Sequence, residues 1–430
     1  MKRLNFVLII VYIFSFYFGT VFLLGLKNPN YSLFLLIVSS AIILLNDEGK
    51  MDFLIISPFF IFRNFFIYKG ELLINYLLFF LIVKMVFIRL IKKREISFLD
   101  MLILILLLVI VFYNFLVSLL FGLDIEIAFK YLVRYILIVV SSYIFMKQLK
   151  YNDNINENLN FVIVILILIS LFSFLLIYVP FFNRIIYVDS FLSNKESGIY
   201  YRIDPNFLIA NLIILTSILI KRENLIYRFL SFSFLFLISV LWLNSVTGTI
   251  LLGIFFINSL NGFKYKNSIF NIVVLLLILI LLLPFLINII LFQYSLKFEE
   301  TYSNNIFDYI TNNRFSIWIG YFKMILKYLF GVGDNSIKIV ESFIGIPRVA
   351  HSFYIEILAH VGFLFGIPLL VILFIGGIMI LRQRKNVVLG EAAILFLVAS
   401  FSLSFFFGEY LAVICIEYII YVAILNRNHL

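Results

Sequence analysis

Apolar runs long enough to cross a bilayer recur along almost the whole chain. From Met101 to Phe121 the sequence carries no charged residue at all. A hydrocarbon core of about 30 Å takes roughly 20 residues of α-helix to cross. Such runs lack the polar–apolar alternation of a membrane barrel, so helices are the expected spanning element. The composition agrees, with 64% hydrophobic and 13% charged residues and a mean hydropathy of +1.14. A soluble domain is nearer half apolar and a quarter charged.

The reading is an all-α integral membrane protein, a single polytopic domain over 1–430, with roughly 14 transmembrane helices. Spans are expected over 4–25, 31–46, 52–68, 71–89, 97–121, 126–147, 160–180, 204–220, 225–243, 247–263, 268–293, 353–381, 387–407 and 409–425. The span over 52–68 contains Pro58 and Arg63, and only Gly408-Glu409 separates the last two. The opening run after Lys2-Arg3 exceeds the h-region of a signal peptide and reads as a retained first span.

Lys and Arg set the orientation. One set of alternate loops holds Lys2-Arg3, Lys50, Arg89 to Arg94, Lys147 and Lys150, Lys221-Arg222 and Arg228, Lys264 and Lys266, Arg382 to Lys385, and Arg427. That side is expected to be the cytoplasm, with both termini on it. The net charge of +10 is thereby accounted for as a topology signal, and no nucleic-acid partner is expected. The single Cys415 lies in a late apolar run, so no disulfide framework exists within the chain. No His/Cys cluster or dense Asp/Glu group points to a metal, and no cofactor is expected.

Two segments on the other side exceed short-loop length: a first outer loop over 181–203 and a large one over 294–352. Long ordered loops usually carry function, so the active surface is expected there. In the large loop, Phe315, Trp318, Ile319, Phe322, Ile325, Leu326 and Leu329 recur at helical spacing, opposite Ser316, Gly320, Lys323 and Lys327. This predicts an amphipathic helix in the membrane interface, ended by the turn Gly331-Val332-Gly333-Asp334-Asn335. The same glycines are a weak match to a phosphate-binding turn. His351 falls where the next spanning helix begins. The positive end of that helix dipole favours a neutral imidazole, which a general base requires, although a boundary histidine is more often a satisfied polar residue.

At these residues the chain resembles the O-antigen polymerase and O-antigen ligase superfamily of bacterial envelopes. The resemblance rests on Arg314 and Trp318, Gly331-Val332-Gly333, His351-Ser352-Phe353-Tyr354, and Gly362 with Gly366, over about 314–366. A weaker match is Arg202 followed by Pro205-Asn206, without the family's intervening glycine. Asn244 to Gly248 departs further, with Val246 where the family has arginine.

The resemblance implies a GT-C-like, metal-independent glycosyltransferase of the bacterial cytoplasmic membrane. It would move a glycan from undecaprenyl diphosphate to the hydroxyl of another lipid-linked repeat unit, building O-antigen, capsule or exopolysaccharide. An O-antigen ligase, acting on lipid A-core, is the alternative within the family. A lipid-linked oligosaccharide flippase or transporter is the alternative from another class. Implied partners are the lipid-linked oligosaccharide, membrane lipid, a chain-length regulator and a flippase.

The residues suit that chemistry. His351 would take the acceptor proton, while Arg314 and Arg202 would pair with the diphosphate. Trp318 and Tyr354 would stack on sugars, and Lys130 and Arg134 would contact the lipid diphosphate from the sixth span. Each has a plainer competitor. Arg314 equally suits anchoring the helix to headgroups, and Arg202 suits pairing with Asp204 or Asp189. Asp204-Pro205 reads as an N-cap and N1 pair. Glu126, Lys130 and Arg134 suit an internal ion-pair ladder, and Glu356 and His360 suit an i,i+4 pair.

Overall fold

The computed structural model describes residues 29–45, 52, 55–56, 59, 67–68, 71–92, 97–150, 205–219, 225–236, 239, 246–260, 314–345, 347–382, 388–403 and 410–425. The spans expected over 4–25, 160–180 and 268–293, the loop 181–203 and Arg202 lie outside them. The described chain is helical apart from one short ladder. In order it forms α1 (Pro29–Leu45), β1 (Ile67–Tyr68), β2 (Glu71–Leu72), α2 (Leu73–Lys92), α3 (Phe98–Leu120) and α4 (Ile125–Lys150). There follow α5 (Pro205–Leu219), α6 (Leu225–Phe236), α7 (Val246–Leu260), α8 (Arg314–Lys327) and α9 (Ser336–Ile344). Last come α10 (Phe353–Arg382), α11 (Val388–Ala399) and α12 (Tyr410–Leu425). β1 and β2 pair antiparallel, Ile67 against Leu72 and Tyr68 against Glu71, on either side of Lys69-Gly70.

Among the described residues, three helical stretches are long and apolar enough to cross a membrane: Met101–Leu120, Ile125–Lys147 and Phe353–Arg382. Shorter apolar helices cover Leu33–Leu44, Leu73–Val86, Ile209–Ile218, Thr247–Asn258, Leu389–Ala399 and Leu411–Leu425. α12 is the most enclosed, with Leu411 to Ile420 all buried, and it packs against α4, α10 and α11. Small residues permit the closest approaches. A methyl group on Gly376 would fall 2.5 Å from the Ile419 carbonyl oxygen, and one on Gly248 would meet Ile209 and Ser239.

The ends of several helices gather on one face. Thr247, at the start of α7, shares a 2.9 Å hydrogen bond with Ser402 beyond the end of α11. Phe353 N–H, at the start of α10, donates to Ser400 O over 3.0 Å. These are segments that the charge asymmetry places on one side. On the opposite end, Arg228 and Glu391 form a buried ion pair, with the guanidinium over the Phe255 ring at 4.7 Å.

Two expected spans take a different form. Among the described residues of 387–407, helix runs from Val388 to Ala399 and gives way to a turn over 400–403. Phe401 N–H and Ser402 N–H turn back to Val398 O and Ala399 O at 3.2 and 3.0 Å. Ser400 Oγ also donates to Phe396 O at 2.7 Å. Serines that bond their own backbone compete with helix propagation, and here they free the 400 and 402 carbonyls for other partners.

The segment 353–381 is broken rather than straight. Gly362 has φ 63 and ψ −166, a region open essentially to glycine alone. The Cβ position of Gly366 lies 3.4 Å from the Leu358 Cα, whereas eight residues of straight helix would separate these positions by about 12 Å. α10 therefore folds back on itself. Its first arm, from Phe353 to Val361, is about nine residues. Its second arm, of about 20 residues, is ~30 Å long and could cross a membrane alone.

Candidate functional site

α8 arises where the helical spacing predicts it, and the protein covers one side of it. Gly320, Tyr321, Met324 and Ile325 are buried, while Ile319, Phe322 and Leu326 are exposed. The reason is α9: a methyl group on Gly320 would overlap the Ile344 side chain. Gly320 thus belongs to a packing seam rather than to a polar face. The exposed apolar residues continue past the helix through Leu329 and Phe330.

Three of the residues singled out in sequence are held by main-chain carbonyls of residues 350, 397 and 402. Arg314 Nη1 donates to Ser402 O at 3.0 Å. One turn later, Trp318 Nε1 donates to Ala350 O at 2.8 Å, beside His351. Tyr321 OH holds the Arg348 carbonyl at 2.8 Å; its burial, with the Glu356 carboxylate as a second cause, raises the phenol pKa. Tyr354 OH donates to Leu397 O at 2.7 Å, and its ring lies 4.8 Å from that of Phe401.

His351 has φ 50, the only positive φ outside glycine among the described residues. Histidine visits this region more readily than most residues, and such conformations concentrate at functional sites. The side chain is half-buried. Next to it, Ser352 O accepts the first helical hydrogen bond of α10, from Glu356 N–H at 2.9 Å. Arg314, Trp318 and Tyr354 are thus each held by a main-chain carbonyl, of Ser402, Ala350 and Leu397 respectively. An imidazole can accept a proton and a guanidinium can offset negative charge, the two roles that displacement of an anionic leaving group requires.

The glycine turn after α8 does something other than cradle phosphate. Gly331 and Gly333 have φ of 85 and 66. A methyl group on Gly331 would lie 2.5 Å from His360 O, and one on Gly333 would lie 2.6 Å from Ser118 N. The turn runs across the break in α10. Val332 N–H donates to Ala359 O and Phe363 N–H to Leu329 O, both at 2.8 Å. The helix break and the loop thus satisfy each other's exposed backbone groups, as buried peptide groups require.

Beyond the glycines, the Asp334 carboxylate is buried where the loop meets α3, α4 and α10. Its Oδ2 accepts from Asn114 Nδ2 at 2.8 Å and its Oδ1 from Tyr135 OH at 2.7 Å. His360 Nδ1 stands 3.4 Å from Oδ1, so His360 faces Asp334. Sequence reading passed over Asp334 and Tyr135. The available signal was Asn114 and Ser118, two polar residues one turn apart in an otherwise apolar span.

The remaining residues lie elsewhere. Lys130 pairs with Glu126 at 3.1 Å on an exposed side of α4, the two side chains 57% and 77% accessible. This is an outward pair and not an internal ladder. Arg134 is half-buried on the next turn, beside the inward-facing Tyr135. Arg202 and Asp204 are outside the described residues, within which α5 runs from Pro205. Among the described residues, no three His, Cys, Asp or Glu side chains are grouped to hold a metal. No protein-family model, curated protein or solved structure matches the chain.

Proposed function

We propose that this chain is a polysaccharide repeat-unit polymerase of the bacterial cytoplasmic membrane. The observation that carries the reading is that Arg314 binds Ser402 O, Tyr354 binds Leu397 O on the same chain segment, and Trp318 binds the carbonyl of Ala350, the residue before His351. The membrane-length helices support it further, because the donor's polyprenyl chain needs an apolar environment. In this reading roughly 14 spans form a GT-C-like bundle, both termini are cytoplasmic, and the reaction takes place at the outer face.

The reaction joins two lipid-linked units. His351 accepts the proton of the acceptor hydroxyl as its oxygen attacks the anomeric carbon of the donor. The bond from that carbon to the undecaprenyl diphosphate oxygen breaks, and the diphosphate leaves with the bonding electrons. Arg314, joined by Arg202 from the first outer loop, neutralises the charge that develops there. Trp318 and Tyr354 orient the sugars, and no metal enters the step.

The test is a gene deletion complemented with wild type, His351→Ala or Arg314→Ala at matched membrane abundance, with surface glycan length read on a gel. Single repeat units in the deletion, with long chains restored by wild type only, are the expected outcome. Loss of all surface glycan with long lipid-linked chains accumulating would replace the polymerase by a ligase. Full restoration by both variants would remove these residues from the mechanism.

A further inference from the structure

We infer that Asp334 is a positioning residue that holds the His351 arm in register for the transfer; the inference rests on the polymerase reading of His351. The arm from Phe353 to Val361 is fixed at two ends. At the start, Phe353 N–H binds Ser400 O, and at the break, Ala359 O and Phe363 N–H bind the 329–332 loop. That loop is itself fastened to the bundle at Asp334, flanked by hydrogen bonds from Tyr113 OH to Phe330 O and from Asn335 Nδ2 to Phe121 O at 2.8 and 2.7 Å. The Asp334 carboxylate takes Asn114 of α3 and Tyr135 of α4, and its own N–H donates to Ser118 Oγ at 2.9 Å. His360 closes the node from the arm side, with Nδ1 toward Asp334 and Nε2 3.1 Å from Ser336 Oγ.

The order Ser336, His360, Asp334 is that of a nucleophilic triad, but Ser336 is only 2% exposed and no substrate could reach it. What the node can do is transmit position. It connects the loop that leads from Arg314 and Trp318 to the far end of the arm that carries His351, and anchors both on α3 and α4. Misplacement by about 1 Å can cost on the order of 10²-fold in rate, even from a change remote from the reacting atoms.

The Asn114 amide allows a sharp test. Its Oδ1 is buried and accepts no hydrogen bond, so rotating the amide would let it accept from an asparagine at 334. Asp334→Asn should therefore keep the node, and Asp334→Ala should open it. Asn114→Asp alone sets two carboxylates against each other, while Asn114→Asp combined with Asp334→Asn restores one carboxylate and one amide.

Full-length protein with Cys415→Ala would carry nitroxides at Leu120→Cys and Ile337→Cys in lipid nanodiscs, and inter-label distance would be read by pulsed EPR. The same node variants, without labels, would be assayed for glycan length in the deletion strain at matched abundance. Wild type, Asp334→Asn and the exchanged pair should show one narrow distance and product within a few-fold of one another. Asp334→Ala and Asn114→Asp should broaden the distance and cut polymer at least tenfold. Normal polymer from Asp334→Ala, lost polymer without broadening, or failure of the exchanged pair to recover both readouts would overturn the inference. If wild type makes no polymer while the distances behave as expected, the polymerase reading fails and the positioning role falls with it; normal wild-type polymer with unresponsive distances removes only the positioning role.

Discussion

Replacing Gly362 by alanine should straighten α10. Three effects act in the same direction. Alanine at φ 63, ψ −166 carries backbone strain of about 1–3 kcal/mol. Its methyl group would overlap Leu329 O and the Phe330 carbonyl carbon, opening the two hydrogen bonds across the break, each worth about 1 kcal/mol. A straight helix also prefers alanine to glycine by about 1 kcal/mol. Together these disfavour the folded-back form by about 5 kcal/mol, or roughly 10³-fold.

Disulfide capture reads the outcome directly. In the folded-back form the Cα atoms of 358 and 366 lie within about 5 Å, since one C–C bond of ~1.5 Å separates Cα from the 3.4 Å contact. That is inside the range of about 4.4–6.8 Å that a disulfide spans, while a straight helix at ~12 Å is outside it. Protein carrying Cys415→Ala with Leu358→Cys and Gly366→Cys should cross-link on mild oxidation, scored by loss of maleimide labelling. Adding Gly362→Ala should abolish the cross-link. Equal cross-linking with and without Gly362 would refute the argument from glycine, and none in either would refute the fold-back itself.

Three further outcomes follow from particular contacts. Trp318→Phe keeps the ring but strips the Ala350 carbonyl of its donor; it should cost about 1–3 kcal/mol in thermal unfolding of the detergent-solubilised protein. Glu391→Gln leaves the Arg228 guanidinium buried without its counter-charge and should cost about 3–5 kcal/mol, whereas Arg228→Met with Glu391→Gln should recover most of that loss in the same melting assay. Because burial raises the Tyr321 pKa, the folded state keeps the phenol protonated where the unfolded chain would ionise it. The associated stability is complete below pH ~10 and falls as pH rises beyond it, so Tyr321→Phe should flatten the alkaline limb of the unfolding curve.

Helix existence was legible in sequence because it depends on local apolar content. The stretches 98–120, 125–150 and 205–219 fall within a few residues of the expected limits. What was hidden depends on partners distant in the chain. The break at Gly362 looks like one half of a small-residue pair in the sequence, and only the approach of residues 329–331 explains its conformation. Helical spacing divides apolar from polar, but it cannot say that α9 would cover the Gly320 side of α8.

The two halves of the large outer loop therefore serve one construction. Its helix supplies Arg314 and Trp318, and its glycine turn holds the arm that begins beside His351. A 30-residue apolar helix with a histidine at its start would by itself be only a span with a polar cap. The break changes this, because it detaches about nine residues from the spanning arm. Their orientation is then set by Ser400 at one end and by the Asp334 node at the other. Tyr354 thus sits on a short, doubly tethered element that begins beside His351, and its geometry depends on a carboxylate that never meets the substrate.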